Sequence, residues 1–184
     1  MVGNLPRSLS VNGVEYEIRT DFRDILKIVT AFNDPELEDN EKVYVCLFIL
    51  YIAFDTMTKA DYEEAYKKAL EFLDYNTKDD RPSPRTMDWE QDEGLLFPAV
   101  NKVAGYETRT AEYVHWWTFV GYYMEITGGV FSHILNLRYK KSKGKKLEKH
   151  EREFWNANKS VCVLRPKLTA EEQAEKDRLK ALLD

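Results

Sequence analysis

The stretch YVHWWTFVGYY, Tyr113 to Tyr123, places six aromatic residues and one histidine in eleven positions. Set on a helix at about 100° per residue, Tyr113, Trp116, Trp117, Val120, Tyr123 and Met124 share one broad arc. His115, Thr118, Tyr122 and Glu125 fall on the opposite side. An apolar arc that wide is expected on a helix packed against several neighbours. Trp116 and Trp117 would anchor it, because large aromatics bury the most area per residue. The spacing therefore predicts a core helix, with His115 on its polar face and no nucleophile beside it. A helical core is the decisive expectation for the fold.

Working toward the N-terminus, VYVCLFILYI (Val43–Ile52) is apolar on nearly all sides and predicts a central helix over about Asp39 to Phe54. The run is about half the roughly 20 residues a membrane span needs. RTDFRDILKIVTAF predicts a helix capped by Thr20 or Asp21, with Phe22, Ile25, Leu26 and Val29 inward. SLSVNGVEYEI reads as a β-hairpin, since Asn12-Gly13 suits a type I′ turn and Val14, Tyr16 and Ile18 alternate with glutamates. TKADYEEAYKKALEFLDYN predicts a further helix with Thr58 and Asp61 as a capping box.

Asn76–Asp88, NTKDDRPSPRTMD, is polar and carries two prolines. It reads as a linker or hinge between residues 1–75 and 89–184, the two parts forming one compact unit. Toward the C-terminus, DWEQDEGLLFPAVNKVAGY predicts a helix with Asp88 as cap, Gly105 as stop and Pro98 as kink or boundary. VFSHILNLRYKK is helical in preference to strand. The chain closes with a charged helix capped at Thr169 and Glu172. The expected fold class is mainly α, with one N-terminal β-hairpin docked on the helices.

The chain has 184 residues and a formal net charge of −5, with charged residues at 32% and hydrophobic ones at 43%. That composition is globular and does not favour nucleic acid as a partner. Cys46 and Cys162 are far apart and make neither a disulfide framework nor a zinc site, which favours a reducing compartment. The opening MVGNLPRSLSVNG lacks a basic segment followed by an apolar one, so no signal peptide is expected.

Asp88, Asp92 and Glu93 form a carboxylate group at a helix start, where the helix dipole accounts for them. His115, His133 and His150 lack the spacing of a zinc site on one helix face. No GxSxG, P-loop or GxGxxG is present. No enzyme activity, metal or cofactor is expected.

RYKKSKGKKLEKHER, Arg138 to Arg152, is the strongest local departure in an acidic chain. Arg138, Lys140, Lys141, Lys143, Lys145, Lys146 and Lys149 crowd it. Three readings fit: a solvated mobile loop, a contact with an acidic protein or helix, or a contact with phosphates.

YEIRTDFRDIL, with its strand running into an Asp-Phe-Arg helix start, resembles the opening of tail assembly chaperones of long-tailed phages. Asp88 and Asp92 before Leu95-Leu96-Phe97, then His115-Trp116-Trp117 with Phe119, then Leu137-Arg138 before the lysine run resemble a tail-region family. It is named after gene product fifteen of phages infecting Gram-positive bacteria. The resemblance covers about Val14 to Trp155, and Pro98 departs from it. It implies a non-enzymatic protein of the host cytoplasm that binds the tape measure protein during tail assembly and is absent from the mature virion. The lysine run would then meet an acidic surface of that partner. A structural tail or connector subunit and a nucleic-acid-binding phage protein are the alternatives, and self-association into a homo-oligomer is left open.

Overall fold

The computed structural model describes residues 3–75 and 84–182. Residues 76–83 of the expected linker lie outside them; Pro84 to Asp88 are in no helix or strand. The fold is mainly helical, with one antiparallel hairpin packed on the helices.

The hairpin joins β1 (Ser8–Val11) to β2 (Val14–Glu17), pairing Leu9 with Tyr16 and Val11 with Val14. Asn12 and Gly13 both adopt positive φ, as a type I′ turn requires. The Asn12 amide donates to Asp61 at 2.8 Å and the Thr58 hydroxyl to the same carboxylate at 2.6 Å. The Thr58–Asp61 pair, expected to cap a helix, thus ties the turn of the hairpin to the body.

Helix α1 (Phe22–Phe32) starts where Asp21 accepts the Arg23 amide, and packs on α2 (Asp39–Leu50). α2 is shorter than its apolar run predicts. Tyr51 turns extended because Ile52 N–H donates to Glu17 and Arg19 N–H to Leu50, continuing the hairpin's pairing. The Arg19 guanidinium donates to the Ile49 carbonyl at 2.7 Å, occupying one of the orphan acceptors at the helix end. α3 (Tyr62–Leu73) packs on α2 and on β1, and the Tyr51 hydroxyl donates to its Ala65 carbonyl.

α4 (Glu93–Ala104) runs through Pro98 and stops at Gly105, whose positive φ forms the cap. α5 (Trp116–Met124) packs on α4 and α1, and α6 (Gly129–Ser142) on α4. α7 (Lys149–Ala157), the one-turn α8 (Lys159–Cys162) and α9 (Ala170–Ala181) complete the chain. α9 has its expected capping box at Thr169 and Glu172, and all its residues are exposed.

One core joins residues from both sides of the expected linker. Phe22 stacks on Phe119 with centroids 4.4 Å apart and lies 6.2 Å from Phe97. Two backbone bonds register this junction: Phe22 N–H to Val114 O at 3.0 Å and Trp116 N–H to Thr20 O at 2.7 Å. A smaller core holds Ile134, Leu137, Trp155 and Cys162.

The junction corrects the reading of the aromatic stretch. Residues 114–116 pair with residues 20–22, so α5 begins at Trp116 and not at Tyr113. Tyr113, expected in the core, is 45% exposed and spends its hydroxyl on Thr20 at 2.6 Å. His115, expected on a polar face, is buried and caps the helix. Phe22, Trp116 and Val120 are buried, while Trp117 and Tyr123 are half-buried.

Candidate functional site

The basic stretch does not act as one unit. Arg138 sits on the buried side of α6, and its five N–H donors all find acceptors. They reach both oxygens of Asp92 at 2.6 and 2.8 Å, and the carbonyls of Thr86, Val161 and Cys162 at 2.6–2.9 Å. Arg138 therefore belongs to the interior and not to a partner surface. Its planar fork matches a carboxylate, and a buried charge requires this degree of satisfaction. Asp92 also accepts the Asp88 amide at 2.9 Å, and Asp88 accepts the Glu90 and Gln91 amides. Asp88 caps this turn and not α4 itself. Burial pushes the Asp88 carboxyl up, but the Gln91 amide, Arg85 and Lys167 together hold it below its ordinary value.

Lys140 is half-buried and pairs with the buried Glu151, whose carboxyl it holds below the usual range. The other five lysines behave differently. Lys141, Lys143, Lys145, Lys146 and Lys149 are exposed from the end of α6, through the turn that follows, to the start of α7. Lys141 covers Trp155 at 4.4 Å, and Lys143 and Lys145 flank the Tyr139 ring at 5.8 and 5.9 Å. Among the described residues none of the five is in an ion pair. The stretch presents five exposed cations, two of them against the exposed Tyr139.

Two apolar surfaces accompany it, and neither was legible as a surface in the sequence. Tyr44, Phe48 and Ile52 are 52–54% exposed along α2 and its exit. The rings of the first two lie over Phe54: Tyr44 and Phe48 stack at 6.1 Å and meet Phe54 edge-on at 5.3 and 6.0 Å. A helix apolar all round is expected to be covered all round, and α2 is not. The second is a groove of about 490 Å3 between α4 and the start of α6, including Leu95, Pro98, Val103, Ile126, Val130 and Phe131. Pro98 has no N–H, so the Gly94 carbonyl four residues earlier loses its intrahelical donor, and both residues line this groove. Gly128 and Gly129 line it too, and without side chains they let another backbone approach closely.

His115 shows what the polar atoms around the aromatic core do. Its Nδ1 accepts the Trp117 amide at 3.0 Å, and its Nε2 lies 2.9 Å from the Pro6 carbonyl. Those partners require a neutral ring with hydrogen on Nε2. Burial lowers its pKa, the Pro6 contact opposes the shift, and Arg7 adds to it. Both ring nitrogens are engaged in holding the chain. The thiol of Cys46 is pushed up to about 12 by burial, so it acts as an apolar filler.

Among the described residues no cluster of three or more metal-ligating side chains occurs, and no helix is long and apolar enough to cross a membrane. The family model of the bacteriophage Gp15 protein matches residues 1–164. The chain belongs to the bacteriophage Gp15 protein family. The match includes the hairpin, the aromatic core, the Asp92–Arg138 pair and the lysine turn, and ends before α9. No curated protein and no solved structure matches the chain.

Proposed function

We propose that this member of the Gp15 family is a non-enzymatic tail assembly chaperone that binds the tape measure protein while the tail is built. It would act in the host cytoplasm and leave before the virion is complete. The observation that carries the reading is the apolar groove between α4 and α6 in a phage-family chain. A tape measure protein is long and helical, and its apolar stripes would aggregate if left free. A groove with an apolar floor and glycines at its edge accepts one helix face, through anchors one turn apart. Many such contacts along one long partner hold by avidity, so each can be weak and reversible. The lysine turn supplies the charged half of the contact surface, facing an acidic protein.

Co-expression with the tape measure protein tests it. Val103→Glu with Val130→Glu places two charges in the groove at exposed positions, so the fold is expected to stand. The wild type should keep the tape measure protein soluble and co-purify with it; the double variant should not. Equal recovery with both would remove the groove from the function. Purified virions should lack the protein; its presence there would favour a structural tail subunit.

A further inference from the structure

We propose that the protein self-associates head to tail, the exposed α2 face of one copy docking on the lysine turn of a second. This goes beyond tape measure binding: it shares the lysine turn with that reading but uses neither the groove nor its residues.

The α2 face is an apolar surface with acidic residues at both ends. Tyr44, Phe48 and Ile52 form its centre. Glu38, Asp39 and Glu41 are exposed at its N-terminal end, with Asp34 and Glu36 in the preceding loop and Asp55 at the far end. Among the described residues none of these carboxylates is in an ion pair. Their hydrogen bonds go to backbone amides: Asp34 accepts Glu36 N–H, Glu36 accepts Ala170 N–H, and Glu38 and Glu41 form the capping box of α2. Backbone amides satisfy lone pairs without neutralising charge.

The lysine turn is the complementary surface on the same chain. Among the described residues it carries Lys141, Lys143, Lys145, Lys146 and Lys149 without carboxylate partners, and Lys143 and Lys145 flank Tyr139, which is 42% exposed. An apolar patch with carboxylates at both ends favours a partner that brings cations around an apolar centre, because like charges brought together there would be desolvated unpaired. An aromatic centre on each side supplies the area, and aromatic contacts dominate such interfaces. The two surfaces differ, so the contact is heterologous. A heterologous contact leaves one free face at each end and can repeat.

Sedimentation velocity of the purified chain, alone, reads the result. The wild type should gain mass with concentration at low salt and return toward monomer at high salt. Two variants each remove one face: K141Q/K143Q/K145Q/K146Q/K149Q, and Y44S/F48S. Each alone should stay monomeric, its association weakened by at least about tenfold. Mixed, they retain one intact pair of faces and should form 1:1 dimers and nothing larger. Should Y44S/F48S melt early, D39K removes a rim charge with the aromatics intact and should weaken association in the same direction. A wild type that stays monomeric at low salt overturns the proposal, as do variants that associate like wild type or a mixture that stays monomeric. Lysine variants that self-associate normally but fail to recover the tape measure protein would assign the turn to that partner instead.

Discussion

The Arg138 guanidinium grips both carboxylate oxygens of Asp92, with the two side chains 3% and 2% exposed. The pair links α4 to α6, and the remaining Arg138 donors extend the link to the segment before α4 and to α8. It holds the smaller core against the larger one.

Breaking this pair from one side should be costly. Asp92→Asn or Arg138→Met leaves a buried charge or an orphaned set of acceptors, and should destabilise by about 3–5 kcal/mol. The double variant D92N/R138M should lose less than the sum, because no charge is stranded. Urea unfolding of the three variants gives the coupling, and additive losses would contradict it.

Trp116 and Trp117 should differ despite being neighbours. Trp116 is buried and donates to the Leu73 carbonyl, while Trp117 is half-buried and donates to Phe72. Trp116→Ala should cost about 3–5 kcal/mol, as for large core aromatics, and Trp117→Ala less. Tyr113→Phe removes one hydroxyl bond and should cost about 0.5–1.5 kcal/mol. Equal losses for the two tryptophans would contradict the placement of α5.

Stability should fall in mildly acidic solution because of His115. Its pKa is lowered in the folded state, so the unfolded chain binds the extra proton first. The contribution is fully present above the ordinary histidine value and is lost as pH falls through the folded value. His115→Asn keeps a side-chain acceptor for the Trp117 amide and removes the titration. Its melting temperature should therefore change less than that of wild type across this window. Parallel profiles would show that His115 does not carry the dependence.

Pro98→Ala should stabilise the chain. Alanine restores the donor for the Gly94 carbonyl, and an interior proline costs a helix up to about 3 kcal/mol relative to alanine. Pro98 is exposed, so no core contact is lost. Thermal melting should shift upward, and a downward shift would mean that the proline ring packs in the groove to an important degree.

Local signals were readable one element at a time. Asn12-Gly13 predicts its own turn, the Thr20-Asp21 pair and Thr169 their own helix starts, and Gly105 its own stop, because caps and turns are decided by neighbours within four residues. Phe22, Trp116 and Val120 follow from periodicity, which depends only on helix geometry. The lysine turn was legible as charge, although its division into buried and exposed members was not.

What the sequence by itself determined is therefore the helical class, the N-terminal hairpin and those boundaries set by Asn12-Gly13, Gly105 and Thr169. The tertiary structure alone decided where α5 begins, since residues 20–22 pair with residues 114–116 across more than ninety positions. It turned His115 from a face residue into a cap. It placed Arg138 inside, because a carboxylate 46 residues away and three distant carbonyls meet its donors there. It left one side of α2 open, with Tyr44, Phe48 and Ile52 about half exposed. A charge or an aromatic ring carries no label for inside or outside; only the groups that the fold brings to it settle which one costs less free energy.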